Sequence, residues 1–154
     1  MRGARPQNCC TFKPRPIETS LTLTIAVDAL GAARVQAQAQ LIVCEIHPLN
    51  NLRVRQYLRE DLALDEAAAS RWYRHWIGEG FASLEAQVRR SSGGRYCFGD
   101  AVTVADVCLV PQVYNARRFH CDLAPYPTLV RIADGLAADP VFARAAPDRQ
   151  PDAR

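Results

Sequence analysis

Lysine is almost missing from this sequence. Lys13 stands alone against 18 arginines, and nothing physical in the chain explains the bias. The arginines are scattered, and the net charge is only +3. No basic patch of the kind that tracks a phosphate backbone results, so nucleic acid is not an expected partner. Long apolar runs are missing too, which excludes a bilayer-spanning helix. Leu21 to Leu30 is apolar enough to resemble an export signal, but Thr22, Thr24 and Asp28 interrupt it and no cleavage site follows. Among six cysteines there is no C-x-x-C, and His47, His75 and His120 stand at no ligand spacing from them, so no metal centre is expected. Cys44 and Cys108 fall in apolar helical runs and read as buried free thiols. Adjacent Cys9 and Cys10, flanked by polar residues, suit neither a core nor a bridge. The expected setting is reducing and cytoplasmic, with no membrane. Strand alternation and internal repeats are absent after residue 30.

What is present fits one helical domain. The 154 residues are 49% apolar and 23% charged, close to globular averages and enough for a core without disulfide staples. Residues 1–27 form a separate arm: Pro6, Pro14, Pro16 and several arginines predict disorder over 1–20, and LTLTIAV at 21–27 alternates like a short strand without a partner. Residues 28–154 form the domain. Asp28 is placed to cap a helix over 29–46, with a second stretch to Leu58. Asp65 starts a helix to about Arg90, in which Trp72, Trp76, Ile77, Phe81, Leu84 and Val88 recur at core spacing. Ser91-Ser92-Gly93-Gly94 stops it. In Thr103-Val104-Ala105-Asp106 the carboxylate reaches back to the Thr103 N–H, a capping box opening a helix to about Phe119 with Pro111 inside. Pro127 and Pro140 start two shorter helices. The expected fold is all-α, a bundle of five or more helices.

One stretch resists a pure packing account. In Ile46-His47-Pro48-Leu49-Asn50-Asn51-Leu52-Arg53-Val54 a proline and two asparagines interrupt an apolar run, which a helix that only packs would avoid. Either the helix ends there or it bends to bring polar side chains to a cleft.

The order of "IHPLNNLRV" (46–54), "WIGEGFASLE" (76–85), "FGDAVTVADVCLVPQVYNARRF" (98–119), "YPTL" (126–129) and "APDRQPD" (146–152) resembles the C-terminal helical domain of glutathione transferases. More narrowly it is similar to the zeta class, the maleylacetoacetate and maleylpyruvate isomerases. "G-D-x-x-T-x-A-D" alone is shared across transferases, whereas its combination with "HPLNNLRV" and "VPQVYNARRF" is specific. The resemblance implies glutathione as cofactor, a small dicarboxylic diketo acid as substrate and a homodimer. It also implies a thioredoxin-like domain ahead of the helical one. That domain carries the thiol-activating residues, and residues 1–27 are too short to supply it. The expectation is therefore a truncated isomerase, inactive alone, with no catalytic residue of its own and an open oligomeric state.

By the same resemblance Arg118 is the clamp for a substrate carboxylate, with Arg53 a second cation. A guanidinium suits that role because it donates two parallel hydrogen bonds. His47, Asn51, Leu52 and Arg53 correspond to positions that meet glutathione or line its cleft. The bland alternatives are a helix-terminal arginine on the dipole for Arg118, the role given to Arg117, and ordinary capping for His47 and Asn51. Arg55 and Arg59, four apart, read as solvated, Trp72, Trp76 and Phe81 as core, and Asp106 as a folding residue. Two functions follow: a glutathione-dependent cis–trans isomerase of aromatic amino-acid or gentisate breakdown, or a non-catalytic helical association module.

Overall fold

The computed structural model describes residues 28–91 and 94–151; the expected arm and the strand at 21–27 lie outside them. Among the described residues the fold is all-α, with seven α-helices and no strand. Helix α1 (Ala29–Gln40) opens on Asp28, whose carboxylate accepts from the Gly31 N–H at 2.6 Å. It runs into a π-helical segment, Leu41–Ile46, then α2 (His47–Asn50) and, after a break at Asn51, α3 (Leu52–Glu60). Asp65 caps α4 (Glu66–Ser91), accepting from the Ala68 N–H at 2.7 Å. Helix α5 (Val104–Arg118) carries the expected capping box with Pro111 inside it. Helices α6 (Pro127–Ala137) and α7 (Pro140–Ala145) each start on their proline. A proline is tolerated at that position because the first-turn N–H has no partner in any case.

The core is where α1, the π-helical segment, α4, α5 and α6 meet. Ile46, Ile77, Phe81, Leu84, Leu109 and Leu129 have no exposed surface. Trp72 and Trp76, expected in the core, lie at its margin instead: both are half-buried, and the Trp72 indole donates to the Leu49 carbonyl at 2.9 Å, tying α4 to α2. Phe81 is core as expected.

Two buried carboxylates organise the helix ends. Asp106 accepts from the Thr103 N–H (2.8 Å) and hydroxyl (2.7 Å) through one oxygen, and from the Cys97 N–H (2.8 Å) through the other. Glu85, on α4, accepts from the Thr128 and Leu129 N–H groups at 3.2 and 3.0 Å. It thereby supplies the cap that α6 lacks locally, at the end where the helix dipole favours negative charge.

Gly80 lets α4 approach the π-helical segment, since a Cβ there would overlap the Ile46 side chain. Ile46 is fully buried, packed among the core side chains. Gly80→Ala gains about 1 kcal/mol of helix propensity but overpacks at a cost of roughly 1–3 kcal/mol. A net loss in urea unfolding is expected; an increase in stability would show that the segment yields.

Candidate functional site

The proline that breaks the apolar run acts upstream of itself. Pro48 has no N–H, and its ring would crowd the carbonyl four residues back in a regular helix. The chain answers with π geometry over Leu41–Ile46, closed by the His47 N–H on the Ile42 carbonyl, five residues back. Single π turns widen a helix and are frequent at functional sites. The helix therefore survives the proline and breaks three residues later. Asn51 is extended (φ −70°, ψ 165°), and its Oδ1 accepts from the Val54 N–H at 3.1 Å as the cap of α3.

The predicted residues sit on and around this corner. His47 is exposed. Asn51 spends its oxygen on the cap, while its Nδ2 makes no hydrogen bond among the described residues. Leu52 is 67% exposed, and Arg53 is exposed. Asn50 carries a signal that the sequence reading passed over. It is the buried asparagine, donating to the Tyr73 carbonyl at 3.4 Å with its own Oδ1 unpartnered. Nothing in the pair Asn50-Asn51 distinguishes the two without the break in the helix.

The C-terminal end of α5 separates the two arginines. Arg117 pairs with Asp134 on α6 at 2.8 Å. Arg118 is exposed and has no ion pair among the described residues. The helix closes on His120 in the left-handed region (φ 54°), with the His120 N–H on the Arg117 carbonyl and the Cys121 N–H on that of Ala116. This pair of hydrogen bonds is the Schellman stop, with histidine in the left-handed position where glycine is preferred. Phe119 is held just before it, stacked on Tyr73 with ring centres 3.8 Å apart.

Arg55 overturns an expectation. Rather than solvated, it is half-buried: its guanidinium lies 4.6 Å from the Phe119 ring centre and 5.7 Å from that of Tyr73. Arg59 instead pairs with Glu66 at 3.2 Å. The Arg118 guanidinium lies 6.0 Å from the same Phe119 ring. Burial pushes the Tyr73 phenol up, and Arg55 and Arg118 pull it back. Two residues along a helix are about 200° apart, so Arg53 faces away from the ring that Arg55 covers. Arg55 and Arg118, rather than Arg53, are thus the guanidiniums found near the Phe119 ring.

The cysteines also need correcting. Cys44 is exposed, its thiol donating to Gln40 Oε1 at 2.7 Å, and Cys108 is half-buried. The fully buried thiol is Cys97, whose protonated form burial and then the Asp106 carboxylate favour. Burial likewise raises Cys108 and Cys121. Iodoacetamide followed by peptide mapping is expected to modify Cys44 and spare Cys97 until the chain unfolds; equal rates would contradict the burial. These thiols hold their protons more tightly when folded. The stability they contribute is intact below their ordinary value of 9.0 and falls as pH rises above it.

No group of three or more His, Cys, Asp or Glu among the described residues is placed to hold a metal. No helix among them is long and apolar enough to cross a membrane. An apolar cavity of about 380 Å³ between α5, α6 and α7, lined by Val107, Val110, Tyr114, Val141 and Phe142, contains none of the predicted site residues.

No family model matches the chain. Over 125 residues it is 52% identical to a probable maleylacetoacetate isomerase of Vibrio cholerae, a match covering 80% of this chain and 58% of that protein. The crystal structure of maleylpyruvate isomerase from Pseudomonas aeruginosa PAO1 superposes with a TM-score of 0.81 at 45% identity, covering 84% of this chain and 68% of that one. The chain belongs to the maleylacetoacetate and maleylpyruvate isomerase family. A second solved structure, the holo form of a maleylpyruvate isomerase described as a bacterial zeta-class glutathione transferase, matches at TM-score 0.82 and 45% identity. It covers 84% of this chain and 62% of that one. A maleylacetoacetate isomerase of Anaeromyxobacter dehalogenans, solved with dicarboxyethyl glutathione and citrate in its active site, matches at TM-score 0.79 and 44% identity. That match covers 89% of this chain and 59% of that one. The chain spans 58% of the length of the Vibrio cholerae relative.

Proposed function

We propose that this chain is the carboxylate-binding helical half of a glutathione-dependent cis–trans isomerase acting on maleylacetoacetate or maleylpyruvate. The observation that carries the reading is the state of Arg118: exposed at the end of α5 and without an ion pair among the described residues, beside an arginine whose own charge is already matched. A dicarboxylic diketo acid needs such a cation, and a planar guanidinium meets a carboxylate with two hydrogen bonds. Glutathione suits the corner at His47, since a tripeptide with two carboxylates and several amides matches exposed His47 and Arg53 and the Asn51 Nδ2, which has no partner among the described residues. When bound, glutathione supplies a thiol nucleophile whose reversible addition makes the cis double bond rotatable.

The chain's own residues then have three tasks. Arg118 fixes one end of the substrate, so that rotation moves the other. Its charge and those around it favour negative charge developing on the acyl oxygen next to the reacting bond. The exposed apolar surface of Leu52 lines the approach, limiting the water around the reacting carbons.

A helical association module is the second reading, supported by the apolar cavity between α5, α6 and α7. The two separate by assay. The part of the Vibrio cholerae relative outside the match is fused ahead of residue 28, and loss of maleylpyruvate absorbance is followed with glutathione. Turnover at least about a thousandfold above free glutathione is expected, modest for an enzyme. A folded fusion with no rate above that background would overturn the isomerase reading in favour of association.

A further inference from the structure

We propose that Arg55 joins Arg118 in a two-guanidinium clamp on one substrate carboxylate, seated at the Phe119 ring. The inference rests on the isomerase reading and adds a residue to it. Both guanidiniums converge on one aromatic ring, at 4.6 and 6.0 Å from its centre, from helices more than forty residues apart in sequence. The ring they share is fixed by its stack on Tyr73 and by the helix stop behind it. Arg55 is half-buried and rests on two rings, so little of its freedom remains to be lost when an anion arrives.

The charge balance points the same way. The ion pairs among the described residues are Arg59–Glu66 and Arg117–Asp134, and neither involves this pair. Two cations gathered at one ring without a carboxylate repel each other, and an anion bound at both reverses the sign of that interaction. Arg53 cannot take this place, since it lies on the other side of α3. The chemistry recognised is a carboxylate, which either the substrate or glutathione could present; the clamp is assigned to the substrate's because Arg118 is.

The test is titration of the purified 154-residue chain with maleate, and separately with S-methylglutathione, read by the amide and ring proton shifts around Phe119. The chains compared are wild type, Arg55→Gln, Arg55→Lys, Arg118→Gln and, as a distant control, Arg89→Gln, each checked by thermal melting. Maleate affinity is expected to fall about tenfold or more in both Gln variants. Arg55→Lys should fall less, because it keeps the charge and loses the fork. Arg89→Gln should match wild type. If Arg118→Gln weakens maleate while both Arg55 variants match wild type, the clamp is overturned and the isomerase reading survives. If S-methylglutathione alone shows the Arg55 dependence, the substrate assignment is overturned. Absence of maleate binding to the wild-type chain overturns the clamp as well, leaving the isomerase reading to its own assay.

Discussion

Asp106→Ala is expected to cost about 4–6 kcal/mol, enough to leave the helical domain largely unfolded at 37 °C. Its two oxygens accept three hydrogen bonds, all buried, from Thr103 and Cys97. Each donor stranded without water costs roughly 1–3 kcal/mol, and loss of the helix cap adds about 1 more. A small domain has about 5–15 kcal/mol in total. Asp106→Asn keeps the shape and an acceptor but turns one oxygen into a donor facing the Thr103 or Cys97 N–H, so an intermediate loss is expected. Urea unfolding followed by circular dichroism measures both. A loss below about 1 kcal/mol for the alanine variant would mean that the cap is not what joins the 94–103 loop to α5.

The second large effect is on turnover. In the fused enzyme, Arg118→Gln is expected to lower kcat/KM by about 10²–10³, the equivalent of losing a bidentate charged contact. Arg117→Gln should leave kcat/KM within about threefold and cost at most ~1 kcal/mol of stability, because Arg117 serves an exposed ion pair with Asp134. The two arginines are adjacent and chemically identical, so the pair of variants controls for charge and position. Equal losses at both, or the larger loss at Arg117, would show the assignment reversed.

How much of this was legible in the sequence depends on how local each cause is. Asp28, Asp65, Thr103, Pro127 and Pro140 mark helix starts through contacts within one turn, and the helices begin where those residues place them. The all-α class followed from the same signals. Glu85 was not readable as a cap, since the N–H groups it serves lie 43 and 44 residues away. The π-helical segment was not readable either: Pro48 announces a conflict, but only the packing of Ile46 against Gly80 indicates that the helix widens upstream rather than stops. Cys44 was misplaced because an apolar run in a helix says nothing of which side faces the core until the π turn has shifted the register. Arg55 was misread for a related reason. Its spacing to Arg59 describes one helix, and its partner Phe119 belongs to another.

Where the substrate's carboxylates rest is the most direct test of the central claim that this helical chain holds them. A crystal structure of the fused enzyme with dicarboxyethyl glutathione, a ligand already accommodated by the Anaeromyxobacter dehalogenans relative, answers it. The account predicts a carboxylate of the dicarboxyethyl group within hydrogen-bonding distance of the Arg118 guanidinium, with the peptide portion against His47 and Asn51. A ligand bound with that carboxylate remote from Arg118, and with His47 and Asn51 facing solvent, would contradict it.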